Sequence, residues 1–467
     1  MAMQYIVRLF GTMSAFALSG CASPFDVPTH ARSSVTNTMP ANASALGSIY
    51  RVVDDQQPEL VLDSTPESYI QYALFHSPKA EQAYQQWRAS AERLPQLAAL
   101  PDPRLNFGFF LNEVETRVGP QQAKVGIQQT FPWIGKLRDR QDAGAKQALA
   151  IWYQYQGVLL RIAEQVNIAL ADLSYLDATI QITQDNKALL TSIEEVVRVK
   201  YRVGTGSHPQ LIRVQLELAQ LDDRLIQLRA IRPVHVATLN SILSRSPEAK
   251  VQSNLQLSQH LVSQSAEELA QRAMTSNPIL QTNIMRIEQS RIETQLARKD
   301  GYPDLTVGLE YIVTDEAANP SITESGDDPI MLTFGINLPI WREKYDAKVR
   351  QSIANRLSQT RQLDSDANTI AADIYKAWFE HTDAARRVAL YQDSLIPKAQ
   401  ESLSASLVAF RTGQADFLDL LDTQRTLLEF GIQAQRAQAE QTKALATLNR
   451  LVGTHVITTP TNKGMQP

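Results

Sequence analysis

The sequence predicts a mainly α-helical fold that carries a membrane β-barrel. Its unit is a duplicated helix–hairpin–long-helix repeat, and three copies of the chain close a 12-stranded β-barrel continued by a long α-helical barrel. Three observations predict this. The chain repeats itself, four short segments alternate as lipid-facing strands do, and two helical patterns are far longer than a compact domain allows.

The repeat is read from paired motifs. Ser77-Pro78 recurs as Asn277-Pro278, and Pro103-x-Leu105-x-x-Gly108 recurs as Pro303-x-Leu305-x-x-Gly308, both at a spacing of 200 (277 − 77). Gly126-Ile127 recurs as Gly335-Ile336, Tyr201-Arg202-Val203-Gly204 as Phe410-Arg411-Thr412-Gly413, and Leu239-Asn240 as Leu448-Asn449, all at 209 (335 − 126). One register on each side of a single insertion marks a duplication, with residues 65–245 as the first copy and 267–453 as the second. Residues 246–266 link them, and 454–467 form a C-terminal tail.

The N-terminus reads as a targeting segment. Arg8 precedes a short apolar run, Leu9 to Leu18, too short to span a bilayer and of the length of a secretory signal core. The run ends in Leu18-Ser19-Gly20-Cys21, which resembles the lipobox of bacterial lipoproteins, so residues 1–20 are expected to be cleaved and Cys21 acylated. Cys21 is the only cysteine of the chain and has no internal partner. Ala22 follows it, where lipoproteins kept at the inner membrane usually carry Asp, and this points to the outer membrane. Residues 21–64, rich in Pro, Ser, Thr, Asn and Ala, read as anchor and linker.

Each copy then shows one order of elements. A helix of about 30 residues (67–99; 267–300) precedes a hairpin, a very long helical pattern (135–202; 340–410), a tight turn and a last helix (207–243; 414–452). Ile162, Val166, Ala169, Leu173, Leu176 and Ile180 step by four and three, a coiled-coil seam. Pro233 and Pro397 are expected to kink or break their helices.

The hairpin strands are expected near 104–112, 123–131, 304–313 and 330–338. Leu105, Phe107, Phe109 and Leu111 share one face, against Asn106 and Gly108; Ile330, Leu332, Phe334, Ile336 and Leu338 oppose Thr333, Gly335 and Asn337. Strands of this length, apolar outside and polar or Gly inside, fit an outer-membrane barrel. No stretch after Cys21 is long and apolar enough for a transmembrane helix. Four strands cannot close a barrel and open edges are not tolerated in lipid, so the chain must oligomerise; the trimer, not the dimer, leaves an aqueous lumen. Trp133 and Trp341, where strand gives way to long helix, fit an aromatic belt at the membrane interface.

Other chemistry is sparse. With net charge −4 there is no basic stripe for nucleic acid. The seven histidines form no zinc spacing, no methionine cluster suits copper, and no P-loop occurs, so neither metal site, cofactor nor enzyme activity is predicted and energy must come from a partner. Glu194-Glu195 reads as a solvated helix face, and the acidic loop 314–329 as extracellular.

The duplicated units, the lipobox and the Gly-turn helix tips together resemble the TolC family of outer-membrane efflux proteins over residues 65–453. The most specific segment is Gly413-Gln414-Ala415-Asp416-Phe417-Leu418-Asp419-Leu420-Leu421-Asp422. The resemblance implies that Asp419 and Asp422 narrow the periplasmic mouth as a gate. It also implies that two tips, Val203-Gly204-Thr205 and Thr412-Gly413-Gln414, dock a periplasmic adaptor protein. The first copy departs from the gate pattern, with Gln210 and Arg213 at the matching offsets. Gln129-Thr130-Phe131-Pro132-Trp133-Ile134-Gly135-Lys136 resembles the heavy-metal members related to CusC and CzcC. The implied function is a passive exit duct for small solutes, heavy-metal cations among them. It would be a homotrimer in outer-membrane lipid, coupled through the adaptor to an inner-membrane pump of the RND type. Drug efflux and type I secretion are alternatives within the family; a periplasmic coiled-coil adaptor lipoprotein is the alternative of another class.

Overall fold

The computed structural model describes residues 65–251, 260–319, 321–456 and 458–460, all within one unit, Gln56–Pro467. The signal peptide, Cys21 and the linker to residue 64 lie outside the described residues, as do 252–259 of the inter-repeat linker and most of the tail.

The first repeat runs α1 (Pro66–His76), α2 (Pro78–Ala91), α3 (Leu94–Ala98), β1 (Arg104–Thr116), β2 (Gly119–Phe131), α4 (Lys136–Arg202) and α5 (His208–Ile242). A short β3 (His260–Val262) precedes the second repeat: α6 (Ala266–Ser276), α7 (Pro278–Lys299), β4 (Leu305–Thr314), β5 (Ile330–Ile336), α8 (Arg342–Ala389), a π-helical turn (Leu390–Leu395), α9 (Ile396–Thr412) and α10 (Phe417–Val452). The last strand, β6 (Thr458–Pro460), pairs antiparallel with β3.

Both repeats therefore keep the predicted order, with corrections. The opening helix of each copy is broken at the repeated X-Pro step. A proline disfavours the helical conformation in the residue before it, and Ser77 (ψ 118°) and Asn277 (ψ 124°) are extended. Each then caps the next helix, Ser77 Oγ accepting from Ala80 N–H and Asn277 Oδ1 from Ile279 and Leu280 N–H. The second long pattern is interrupted as well, by the π turn that ends just before Pro397. A residue without an N–H and with a ring in the way of the preceding turn is met here by widening that turn. Pro233, expected to kink or break its helix, does not break it and lies inside a continuous α5. The first hairpin is longer than predicted. After an irregularity between Phe109 and Val114 the ladder resumes, pairing Val114 with Gln121 and Thr116 with Gly119.

The four strands form one antiparallel sheet, β1-β2-β4-β5, in which β2 joins the two repeats along a register from Gln121↔Thr314 to Phe131↔Leu305. β1 and β5 are its edges. The predicted apolar face is bare: Phe109 is 71% exposed, Leu111 97% and Phe334 69%.

The 67 residues of α4 span about 100 Å at 1.5 Å per residue. Its seam buries Ile162, Val166, Ala169, Leu173 and Leu176, but then passes to Thr179, Thr183, Asn186, Leu190, Ile193 and Val197, leaving Ile180 half-buried. Two successive steps of three, Leu173 to Leu176 to Thr179, break the alternation of three and four and turn the buried stripe around the helix. Glu194, expected to be solvated, lies on that stripe: it is 4% exposed and holds Arg198 at 2.7 Å, while Glu195 is exposed. Among the described residues, two apolar cores tie the helices together. One, around Leu190, Val214, Phe410, Phe417 and Leu421, joins α4, α5, α9 and α10 near the two helix turns. The other, around Leu269, Leu280, Ile374 and Leu448, joins α6, α7, α8 and α10. Each buried side chain of this size contributes about 1.5–3 kcal/mol.

Candidate functional site

The two predicted tips are built alike. α4 ends at Gly204 with φ +77° and α9 at Gly413 with φ +81°, both left-handed, a region glycine enters without a Cβ penalty. The freed carbonyls are satisfied by the turn: Lys200 O accepts from Thr205 and Gly206 N–H, and Ala409 O from Gln414 N–H. Val203, Gly204, Thr205, Thr412, Gly413 and Gln414 are all exposed, and a Cβ on either glycine would meet nothing within 4 Å. Lys200 joins the tips. Its ammonium donates to Phe410 O and lies 4.3 Å above the Phe410 ring. Sequence reasoning misses this residue, whose counterpart in the second repeat is Ala409.

Asp419 and Asp422 lie in the first two turns of α10. Asp416 caps that helix, its Oδ1 accepting from Phe417 N–H, and Phe417, Leu420 and Leu421 turn one face into the core. The opposite face carries both carboxylates, exposed and three residues apart. Among the described residues neither forms an ion pair. One turn on, Arg425 is held by Glu217 of α5, a second residue pair that sequence reasoning misses. The hydrogen bond that Arg425 donates to Glu217 raises the Arg425 pKa, with a smaller contribution from the charge of Asp422. The first-copy position serves the helix start instead, where Gln210 Oε1 accepts from Ser207 N–H at the beginning of α5.

At the base of the sheet neither predicted tryptophan is a core residue. Trp133 is 40% exposed and stacks on Tyr302 at 5.1 Å; Trp341 is 73% exposed. Exposed Ile134, Leu338 and Ile340 continue the same band. Behind it lies a charged cluster that the sequence does not announce. Lys136, 3% exposed, places Nζ 2.7 Å from Asp304 Oδ1 and 3.1 Å from Tyr302 O. Asp304 also accepts from Trp133 N–H at 2.8 Å. Lys299 reaches Asp139 at 2.7 Å. Burial pushes the Asp304 carboxyl up, but the hydrogen bonds from Lys136 and Trp133 and the charges of Lys136 and Arg140 outweigh it and hold it below the usual carboxylate range. The cluster ties the start of α4 to the approach of β4, and so one repeat to the other.

Among the described residues, no helix is long and apolar enough to cross a membrane, and no three His, Cys, Asp or Glu side chains are grouped to hold a metal ion.

Comparison with known proteins agrees with this geometry. A family model described as "Outer membrane efflux protein" matches residues 269–454. The cobalt-zinc-cadmium resistance protein CzcC of Cupriavidus metallidurans is 26% identical over 220 residues, 44% of this chain and 47% of that protein, so the match spans about half of the relative's length. The fold is that of the outer-membrane channel OprN (TM-score 0.70, 15% identity, 86% of this chain and 93% of that one). It is also that of CusC, described as forming a transmembrane channel (TM-score 0.70, 13% identity, 86% and 96%).

Proposed function

We propose, from the match of the outer membrane efflux protein model to the second repeat, that the protein is the outer-membrane duct of a tripartite efflux system: a passive, non-enzymatic homotrimer whose helices extend into the periplasm. One observation carries the reading. A four-stranded sheet has one face bare of polar cover and two unpaired edges, β1 and β5. Lipid tolerates such a face but not such edges. Three copies joining β5 of one to β1 of the next remove every edge and enclose a wide lumen. Exposed Trp133 and Trp341 sit at the interface in this arrangement, and Cys21 carries acyl chains that add a second hold on the membrane. The tips dock a periplasmic adaptor, which links the duct to an inner-membrane pump of the RND type. The resemblance to CzcC, a cobalt-zinc-cadmium resistance protein, supports heavy-metal cations as cargo.

Membrane attachment tests the duct against a peripheral adaptor lipoprotein. The Cys21→Ser chain should incorporate no labelled palmitate, yet stay in the outer-membrane fraction through high-salt washing and leave it only with detergent. Release by salt would overturn the barrel, and undiminished palmitate would move acylation away from Cys21.

Docking has its own test. Gly413→Val forces a β-branched residue into the left-handed region at a cost of about 1–2 kcal/mol, in a tip whose surroundings are open. Capture of the co-expressed adaptor should weaken while trimers persist on a native gel; unchanged capture removes this tip from the docking surface.

A further inference from the structure

The inward face of the sheet is organised around its glycines. Gly108 of β1 stands opposite Lys124, Gly126 of β2 opposite Glu310, and Gly308 of β4 between Gln128 and Thr333. Each glycine lies under its neighbour's side chain. A Cβ on Gly108 would stand 3.0 Å from Lys124 Cγ and 3.1 Å from its Cε; one on Gly126, 2.7 Å from Glu310 Cγ; one on Gly308, 2.5 Å from Thr333 Oγ1 and 2.9 Å from Gln128 Cγ. The polar side chains therefore lie flat along the wall instead of standing into the space it encloses. Lying flat brings two of them together: Lys124 Nζ and Glu310 Oε2 approach to 3.6 Å across β2 and β4. Glu310 is the more deeply placed, its side chain 13% exposed against 46% for Lys124. The opposite face of the same strands is apolar and bare, so these charges face the lumen once the barrel closes.

We propose that the Lys124–Glu310 pair, laid over Gly108 and Gly126, sets the charge selectivity of the barrel lumen by holding its wall neutral at that level. The inference rests on the trimeric-barrel reading above. Three copies put three cations and three anions in one belt. Each carboxylate is matched within its own protomer, so solutes of either charge pass this level alike. Removing one partner leaves three like charges on the wall, whose field reaches across the lumen at low ionic strength, where the screening length is about 30 Å at 10 mM salt. Any charge filter of the duct then belongs to another level.

The test reads the local potential and does not require the inner end to open. Asn106, exposed and paired with Gly126, lies across that glycine from Glu310 on the lumen face. Asn106→Cys in full-length trimers is labelled from outside with a cationic and an anionic methanethiosulfonate reagent, at about 10 mM salt, with the chain lacking this substitution as background. The ratio of cationic to anionic labelling rates should fall about five-fold in Glu310→Gln and rise about five-fold in Lys124→Gln, the size expected for a unit charge within a nanometre in wet surroundings. It should return to the parent value in the double variant Lys124→Gln/Glu310→Gln. Equal ratios in all four proteins, with both reagents reacting, would overturn the proposal. A cysteine at position 106 that neither reagent reaches would instead overturn the barrel.

Discussion

Replacing both Asp419 and Asp422 with alanine should open the inner end of the channel to anions. In planar bilayers the double variant should conduct more than the parent, lose cation preference by about ten-fold, and lose block by divalent cations. The two carboxylates share the exposed face of α10, while Phe417, Leu420 and Leu421 fix the other face in the core. Around a threefold axis they become two stacked rings of three like charges. Rings of that kind in a narrow passage produce potentials of several kT, enough to change local cation concentration about ten-fold. The structure adds a restraint. Arg425, one turn on, is fixed by Glu217 and drawn on by Asp422, so α5 and α10 are held together beside the rings. Asp422→Ala alone should therefore leave the Glu217–Arg425 contact intact and give an intermediate phenotype. Identical conductance, selectivity and divalent block in parent and double variant would return both residues to an acidic surface at a helix start.

The second large effect is on stability. Asp304→Asn leaves the Lys136 ammonium almost wholly buried and without its counter-charge, its acceptors reduced to neutral oxygens, Tyr302 O and the new amide. An uncompensated buried charge costs about 3–5 kcal/mol, and the thermal midpoint of the trimer's helical signal should fall accordingly. Lys136→Met should cost less, because Asp304 keeps the Trp133 N–H and is partly wet, its side chain 29% exposed. Removing both charges in Lys136→Met/Asp304→Asn should recover most of the loss. The pair also sets a pH dependence. The carboxyl of Asp304 is held below its ordinary value in the folded chain, so its stabilisation is complete above about pH 4 and disappears as pH falls through the folded value. The parent should therefore lose stability in acid more steeply than the double variant. An Asp304→Asn protein that melts with the parent, or acid curves that coincide, would show the cluster to be incidental.

Much of the architecture follows from periodicity. Alternation of period two marks all four strands and their lipid face, because each residue's side is set by the pleat itself. The tips are legible through Gly204 and Gly413, since few other residues take a left-handed turn. Sequence and structure part where a local rule has more than one outcome. Proline breaks the helix at Pro78 and Pro278, widens it before Pro397 and is absorbed at Pro233. The seam of α4 drifts to Thr179, a threonine that sequence counts as polar but that hydrogen-bonds to Tyr175 O one turn back. Glu194 looks solvated beside its neighbour in sequence, whereas its environment is set by Arg198 and by Gln215 on α5.

Motifs paired at spacings of 200 and 209 marked the duplication, and residues a few positions apart were enough for the order of elements, the two faces of each strand, the long helices and the placing of Asp419 and Asp422 on one face, because each of these last depends on local spacing alone. Packing in three dimensions was needed to bring β2 against β4 and so join the repeats, and to bring Lys136 to Asp304, Arg425 to Glu217, Lys200 to Phe410 and Lys124 toward Glu310. The last four of these pairs are separated by more than 160 residues, and no local spacing predicts them. They exist because packing two copies of one repeat side by side leaves buried or crowded polar groups that must find a partner or lose their solvation.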